Sequence, residues 1–406
     1  MIRSRAVANN EYLWDNPQKF PEMEKIIIAS DSFKGSLSSE EVSDAAAMAI
    51  HEVFPDCTVE KIPVADGGEG TSEALMKILG GEMVHLTVHD PLMRPVHASY
   101  GITVDGHTAI IDMAQASGLD LLSKEERNPM EATSFGTGEI IADAIRRGCK
   151  KIITGLGGSA TNDAGMGLLS ALGVRFLDKD GHVIEGKGKE MESVADIDLS
   201  QVPDDVGGTE FVIACDVRNP FCGPCGAAAV FAPQKGADKM TVNLLDKGME
   251  TLAKTILRKY GKDISRIQGS GAAGGTAGTM AALLDAKIVP GAELVLGAAG
   301  FDARLKDADL VITGEGRIDR QTQMGKIPYA VLLHAKEYGI PVIAIAGSVE
   351  DGLEDNLGFD AIIPAAKGPA TLEESMQKTK AAENVRNAVF QVMRLIKTVR
   401  LRKSSQ

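Results

Sequence analysis

The chain has 406 residues, 44% hydrophobic and 24% charged, with a formal net charge of −13 at pH 7. That length exceeds what one hydrophobic core usually organises, and the balance is that of an ordinary globular protein, so two domains are expected. The negative charge argues against nucleic acid or an anionic membrane as partner, while a local cationic site for a small anion stays open. Forty-four glycines against one Trp and five Tyr favour an α/β enzyme built on tight turns. No stretch reaches the roughly 18 consecutive apolar residues that a membrane-spanning helix needs.

Residues 1–22 hold Arg3, Arg5, Glu11, Asp15 and Lys19 and no apolar core. They do not form a secretory signal and read as a disordered extension ahead of Met23. KIIIAS (25–30) is a β-rich run, and the segment after it opens a helix with a Ser38 to Glu41 capping box. VEKIPVA (59–65) returns as a strand, giving a βαβ unit, and EGTSEALMKILGG is a helix ending at paired glycines. Between residues 83 and 113 short alternating segments recur at hairpin spacing, with Asp105-Gly106 as a turn signal, which predicts antiparallel sheet.

The helix GEIIADAIRRG, the strand KKIITG and a glycine-rich turn into another helix come next, followed by polar loops and the strand FVIACDV. Near residue 285 the alternation resumes with LVITGEG, a helix carrying Pro328 in its first turn and Gly339 past its end, and IPVIAIAG. The simplest architecture is a discontinuous parallel-sheet α/β domain, residues 23–85 plus 286–400, carrying an inserted mixed α/β domain over 86–285. Five cysteines without secretory context point to reduced thiols in a cytoplasmic protein. Cys222 and Cys225 spell a CxxC, but they follow VIACDVRNP deep in the chain and read as a loop. No second CxxC or HxxxH lies within reach to make a metal site.

Three acidic, glycine-flanked turns follow strand-like runs: ASDSFKG (29–35), PVADGGEG (63–70) and VITGEGRID (311–319). A carboxylate beside bare backbone N–H groups at parallel strand ends suits a metal–phosphate complex held against a small polar substrate, so the pattern points to phosphoryl transfer. GLGGSATNDAG (155–165) adds glycines with Ser159 and Thr161 ahead of a helix, and Asp163 there could cap it, hold Mg²⁺ or meet a substrate hydroxyl. Asp31 with Lys34, Asp66 with Glu69, and Glu315 with Arg317, Asp319 and Lys326 supply the charged groups; FAPQKGA (231–237) and SFGTGE (134–139) are weaker signals. No GxxxxGK[ST] occurs, nor a GxGxxG with its distant acidic residue, so neither a Walker nor a dinucleotide fingerprint is present. GLGGSA is similar to the phosphate loop of GHMP small-molecule kinases, but that superfamily's proline-led helix entry and β-rich N-terminal domain are missing.

DSFKGSLSSEE, PVADGGEGT, DPLMRPV, ATSFGTGE, GLGGSATNDAGMGLLSALG, CDVRNP, FAPQKGA, GSGAAGGTAG, TGEGRIDRQTQMGK and AIAG, in this order over residues 24–385, together resemble the glycerate kinase family of the two-domain type. The resemblance implies a Rossmann-like three-layer domain with a second domain inserted. It also implies ATP-dependent, Mg²⁺-supported phosphorylation of glycerate, expected at the 2-hydroxyl, feeding sugar-acid breakdown into glycolysis. Where the family tends to read NPLxGPxGA, this chain has NPFCGPCGA, so Cys225 is its own.

A kinase acting on a secondary hydroxyl needs a carboxylate base, cations on the transferred group and a clamp for the acid. The expected base is Asp66 or Asp163, with Asp31 and Glu315 as Mg²⁺ partners and Lys34 and Lys326 on the transition-state charge. Arg317 is the leading clamp for the substrate carboxylate, with Asp319, Ser134 and Thr137 beside the substrate. Gly155, Gly157, Gly158 and Ser159, with Gly67 and Gly68, are expected to cradle phosphate oxygens. The expected partners are small molecules, glycerate and ATP, with the quaternary state open between monomer and homodimer. The rival readings are a GHMP-like kinase of another hydroxy acid and a non-catalytic sugar-acid-binding protein.

Overall fold

The computed structural model describes residues 23–64 and 71–404. They fall into two compact units: one takes in the described residues up to Pro63, Phe301–Gln323 and those from Ile327 onward, the other Val64–Gly300 with Met324–Lys326. The first unit opens with β1 (Lys25–Ile28), whose three isoleucines are fully buried, as in a strand covered on both faces. Its helix Ser39–Val53 starts on a reciprocal cap: Ser38 Oγ accepts from Glu41 N–H and the Glu41 carboxylate accepts from Ser38 N–H. β2 (Thr58–Lys61) then lies parallel to β1 as a charged edge strand.

The second unit is built on a six-stranded sheet. β3 (Gly81–His89), β4 (Pro95–Thr103) and β5 (Thr108–Asp112) run antiparallel, the last turn closed by Gly106 at φ 70° and by Asp105 Oδ1, which accepts from Thr103 Oγ1–H and His107 N–H. β6 (Lys151–Gly155) joins β5 in parallel. A second small ladder, β7 (Arg175–Leu177) with β8 (Asp196–Asp198), occupies a stretch whose polar composition reads as loop. β9 (Glu210–Ala214) and β10 (Lys287–Val289) complete the large sheet in the order β10-β9-β6-β5-β4-β3. Helix Thr71–Leu79 packs on helix Gly291–Ala298 and on β4 and β5, so this unit begins at Val64 and runs to Gly300, beyond the 86–285 span that the alternation of elements suggests. Periodicity identifies a strand or a helix but not the sheet it joins.

The chain then returns to the first unit with β11 (Leu310–Ile318), helix Ile327–Glu337, β12 (Val342–Val349) and β13 (Ala361–Pro364). All five strands of this sheet are parallel, in the order β13-β12-β11-β1-β2. Ile26, Ile28, Leu310, Ile312, Ile343 and Ile345 form one core with helices Ser39–Val53 and Lys378–Ser404, while helix Ile327–Glu337 packs on β11 and β12. This three-layer α/β arrangement is the fold class expected. Strand order reverses direction between β1 and β11, and in open parallel sheets ligands bind outside the carboxyl ends of the strands at such a switch point.

Candidate active site

At the switch point the backbone continues the strand pairing one step past β1, with Asp31 N–H donating to Gly314 O at 2.8 Å. That bond sets Asp31 beside Glu315, and the two carboxylates are 6% and 5% exposed. Asp31 Oδ1 accepts from Ser32 N–H at 2.7 Å, and Glu315 Oε1 accepts from Thr322 Oγ1–H at 2.6 Å. Thr322 also accepts from Asp319 N–H, so a 3₁₀ turn over Arg320–Met324 is pinned beneath Glu315. Gly314 leaves room for this packing, since a Cβ there would stand 2.2 Å from Ile345 O. Lys34 sits exposed in a tight turn closed by Phe33 and Leu37, and the backbone of Phe33 and Lys34 lies over Gly316. Arg317 is largely exposed and pairs with Asp319 at 3.6 Å. Asp31 just past β1, Lys34 in the turn after it, Glu315 and Arg317 within β11 and Asp319 just beyond it thus lie toward the carboxyl-terminal side of this sheet.

The second unit holds the glycine loop that follows β6. Its residues pair with the end of helix Ala114–Ser117 and the chain just beyond, through Leu119 N–H to Gly158 O and Ala160 N–H to Ser117 O. Helix Met166–Ala171 begins seven residues beyond Ser159, so the glycines form a free-standing turn and not a helix N-terminus. Asp163 organises what lies between. Its Oδ2 accepts from Ser134 N–H (2.8 Å), Ser134 Oγ–H (2.7 Å) and Gly167 N–H (3.2 Å), and its Oδ1 from Gly165 N–H (3.0 Å). With no exposed surface, the carboxyl is pushed above the usual carboxylate range by burial, and those four donors oppose the rise. The turn itself is strained, with Ala164 at φ 52° and Gly165 at φ 69°, and Gly274 backs it where a Cβ would meet Thr161 O at 2.3 Å.

Beneath this loop lies Lys235, from the weaker signal FAPQKGA. It is 2% exposed, and its Nζ donates to Ser159 Oγ at 2.9 Å and Thr161 O at 2.6 Å. Burial draws its pKa down to about 7, with Asp163 pulling the other way. In the unfolded chain a lysine titrates near ~10.4. Between those values the unfolded chain binds a proton that the folded chain lacks, so stability should rise with pH, by at most ~1.4 kcal/mol per unit. The buried thiols Cys57 and Cys215, pushed up to about 11 by burial, act oppositely once unfolded thiols ionise above about pH 8.5. The thermal midpoint is thus expected to climb from pH 7 to about 8.5 and fall beyond it. Calorimetric scans should show the climb in the parent chain and lose it in Lys235→Met.

The structure treats the other expected site residues unequally. Asp66, Gly67 and Gly68 lie outside the described residues. Ser134 and Thr137, expected beside the substrate, have no exposed surface: Ser134 serves Asp163, and Thr137 Oγ1 shares a 2.7 Å bond with Ser117 Oγ. Ser134 stands just ahead of helix Phe135–Arg146 and Thr137 lies in its buried first turn, so both brace the loop from behind. Gly155 is buried, Gly157 partly exposed and Gly158 exposed, with Ser159 turned inward to Lys235. Lys326, partly exposed, groups with the second unit. Cys222 is half-buried with its thiol pushed up, chiefly by burial, the opposite of an activated redox cysteine, while Cys225 is exposed.

A model of the glycerate kinase family matches residues 26–397. The chain belongs to the glycerate kinase family. It is 44% identical over 370 residues to a glycerate kinase of Halalkalibacterium halodurans, spanning 89% of this chain and 97% of that one. It is 43% identical over 355 residues to the glycerate 2-kinase of Escherichia coli K12, spanning 87% and 93%. A solved structure of a candidate glycerate kinase 2 from Salmonella typhimurium LT2 superposes with a TM-score of 0.82 at 42% identity, covering 94% of this chain and all of that one. Membership of the glycerate kinase family makes the chain a kinase, and the first strands of the described residues, β1 and β2, belong to a parallel sheet. Among the described residues no helix is long and apolar enough to cross a membrane.

Proposed function

We propose that this kinase transfers the γ-phosphoryl group of ATP to the 2-hydroxyl of glycerate, giving 2-phosphoglycerate and ADP. The observation that best supports the reading is the pair of nearly enclosed carboxylates, Asp31 and Glu315, at the switch point of a parallel sheet in a glycerate kinase chain. Two carboxylates, one just past β1 and one within the neighbouring β11, are the hard oxygen donors Mg²⁺ prefers, so these residues would hold that ion, which when bound would offset charge on the phosphoryl oxygens. Lys34 and Lys326 would add positive charge, and the exposed fork of Arg317 suits a substrate carboxylate. Of the two carboxylates put forward as base, Asp163 has its oxygens taken up by four donors, which leaves Asp66 as the proposed proton acceptor. Gly157 and Gly158, on the accessible side of their loop, would cradle an anionic oxygen.

A coupled ADP-release assay with glycerate, hydroxypyruvate, glucarate and tartronate tests this directly. Turnover is expected with glycerate first, with the phosphate on the 2-position by ³¹P NMR, with activity abolished by chelation and restored by Mg²⁺. No ADP release with glycerate, or release unaffected by chelation, would sink the corresponding part of the reading.

A further inference from the structure

The glycine loop is rich in donors that the protein does not use. Among the described residues no acceptor takes the backbone N–H of Gly157, Gly158, Ser159, Thr161 or Asn162, although Thr161 and Asn162 have no exposed surface. Thr161 Oγ1 likewise has no partner. Buried backbone donors left unpaired are rare, because each costs about as much as a lost hydrogen bond. The Asp163 carboxylate does not answer them, since its bonds go to Ser134, Gly165 and Gly167. Into this donor-rich turn the fold directs one more donor: Lys235 Nζ, whose two acceptors are both on the loop itself. Burying an ammonium costs several kcal/mol of hydration unless an opposite charge or a good acceptor set offsets it. A surplus of N–H donors beside a buried amine that an arriving anion would hold in its charged form suits an oxyanion.

We propose that Lys235 is a positioning residue for the reaction: by holding Ser159 Oγ and Thr161 O it fixes the glycine loop in the donor-rich form that receives an anionic oxygen of a substrate, and its charge favours that oxygen. The inference rests on the reading of this loop as an anion cradle given above. Two sources share the chemistry, the polyphosphate of ATP and the carboxylate of glycerate, and separate KM measurements tell them apart. Asp163 is the charged group that acts on the ammonium, and it favours the charged form.

Lys235→Met should fold and lose about 100-fold in kcat/KM for the substrate whose oxyanion the loop takes, with KM for the other within about threefold. Ser159→Ala, which removes one of the two braces, should lose about tenfold in the same direction. Because burial sets the ammonium near neutrality, occupation of the loop should draw a proton from solution at pH 8. Titration calorimetry with ATP alone and glycerate alone, each in two buffers of different ionisation enthalpy, reads that uptake in the parent chain and its absence in Lys235→Met. A Lys235→Met enzyme within threefold of the parent for both substrates overturns the proposal. So does a weakened variant that takes up protons as the parent does, since the lysine is then only a brace. Should Lys235→Met fail to fold, Ser159→Ala and the parent's own proton uptake decide. A parent chain that binds neither ATP nor glycerate overturns the functional reading itself, whereas binding without proton uptake overturns only the role of Lys235.

Discussion

Asp163→Ala is expected to lower the thermal midpoint by roughly 10 °C and to remove activity with it. The side chain accepts four hydrogen bonds in a space closed to water, so its loss strands Ser134 N–H, Ser134 Oγ–H, Gly165 N–H and Gly167 N–H at once. Breaking a buried charged hub of this kind typically costs about 3–5 kcal/mol, and the second unit is of the size at which each kcal/mol moves the midpoint by about 2–4 °C. Asp163→Asn keeps the shape but turns one acceptor into a donor facing donors, and should fall between the parent and Asp163→Ala. Differential scanning calorimetry beside the kinase assay separates two roles for this residue. If Asp163→Asn lost all turnover with an unchanged midpoint, the carboxylate would be a chemical base and not the keystone of the loop.

Glu315→Gln and Asp31→Asn should each cut kcat by about 10²–10³-fold while leaving the midpoint within a few degrees. Each change removes one charge from the proposed Mg²⁺ pair, and interactions on transferring phosphoryl groups contribute several kcal/mol, at about 1.4 kcal/mol per tenfold. Glutamine can still accept the Thr322 hydroxyl and asparagine the Ser32 N–H, so the local structure has no reason to yield. The readout that singles out metal binding is the Mg²⁺ concentration for half-maximal rate, expected to rise at least tenfold in both variants. Normal kcat with normal Mg²⁺ dependence in either would remove that residue from the site.

How much of this was legible in the sequence follows the range of the forces involved. The Ser38 to Glu41 cap and the Asp105-Gly106 turn depend on residues two to four apart, and both appear as read. The apolar runs at Ile26–Ile28 and Leu310–Ile312 announced covered parallel strands, whereas the turn read after Leu310–Thr313 is strand, because Glu315 and Arg317 pair with Ala346 and Ser348 inside β11. Burial of Ser134, Thr137 and Asp163 was not legible, because polar residues beside glycines look alike whether a helix packs over them or solvent does. Lys235 was hidden for the same reason: a lysine is nearly always a surface residue, and only the fold reveals one tied to Ser159, 76 positions away. The second unit's true extent escaped because the contacts that draw in Thr71–Leu79 are made with Gly291–Ala298, across the whole insertion.

The pairing of β1 with β11 has a consequence for how the polypeptide is made. Ile26 meets Leu310, so at ordinary translation speeds of about 5–20 residues per second the amino-terminal strand waits roughly 15–60 s for its neighbour to be synthesised. Throughout that interval its isoleucines have only β2 and one helix for company, while the 64–300 stretch, with all six strands of its own sheet in hand, is free to collapse. Nascent chains of this protein should therefore acquire protease resistance from the middle outward, and ribosome-stalled products ending before residue 310 should be the ones that chaperones hold.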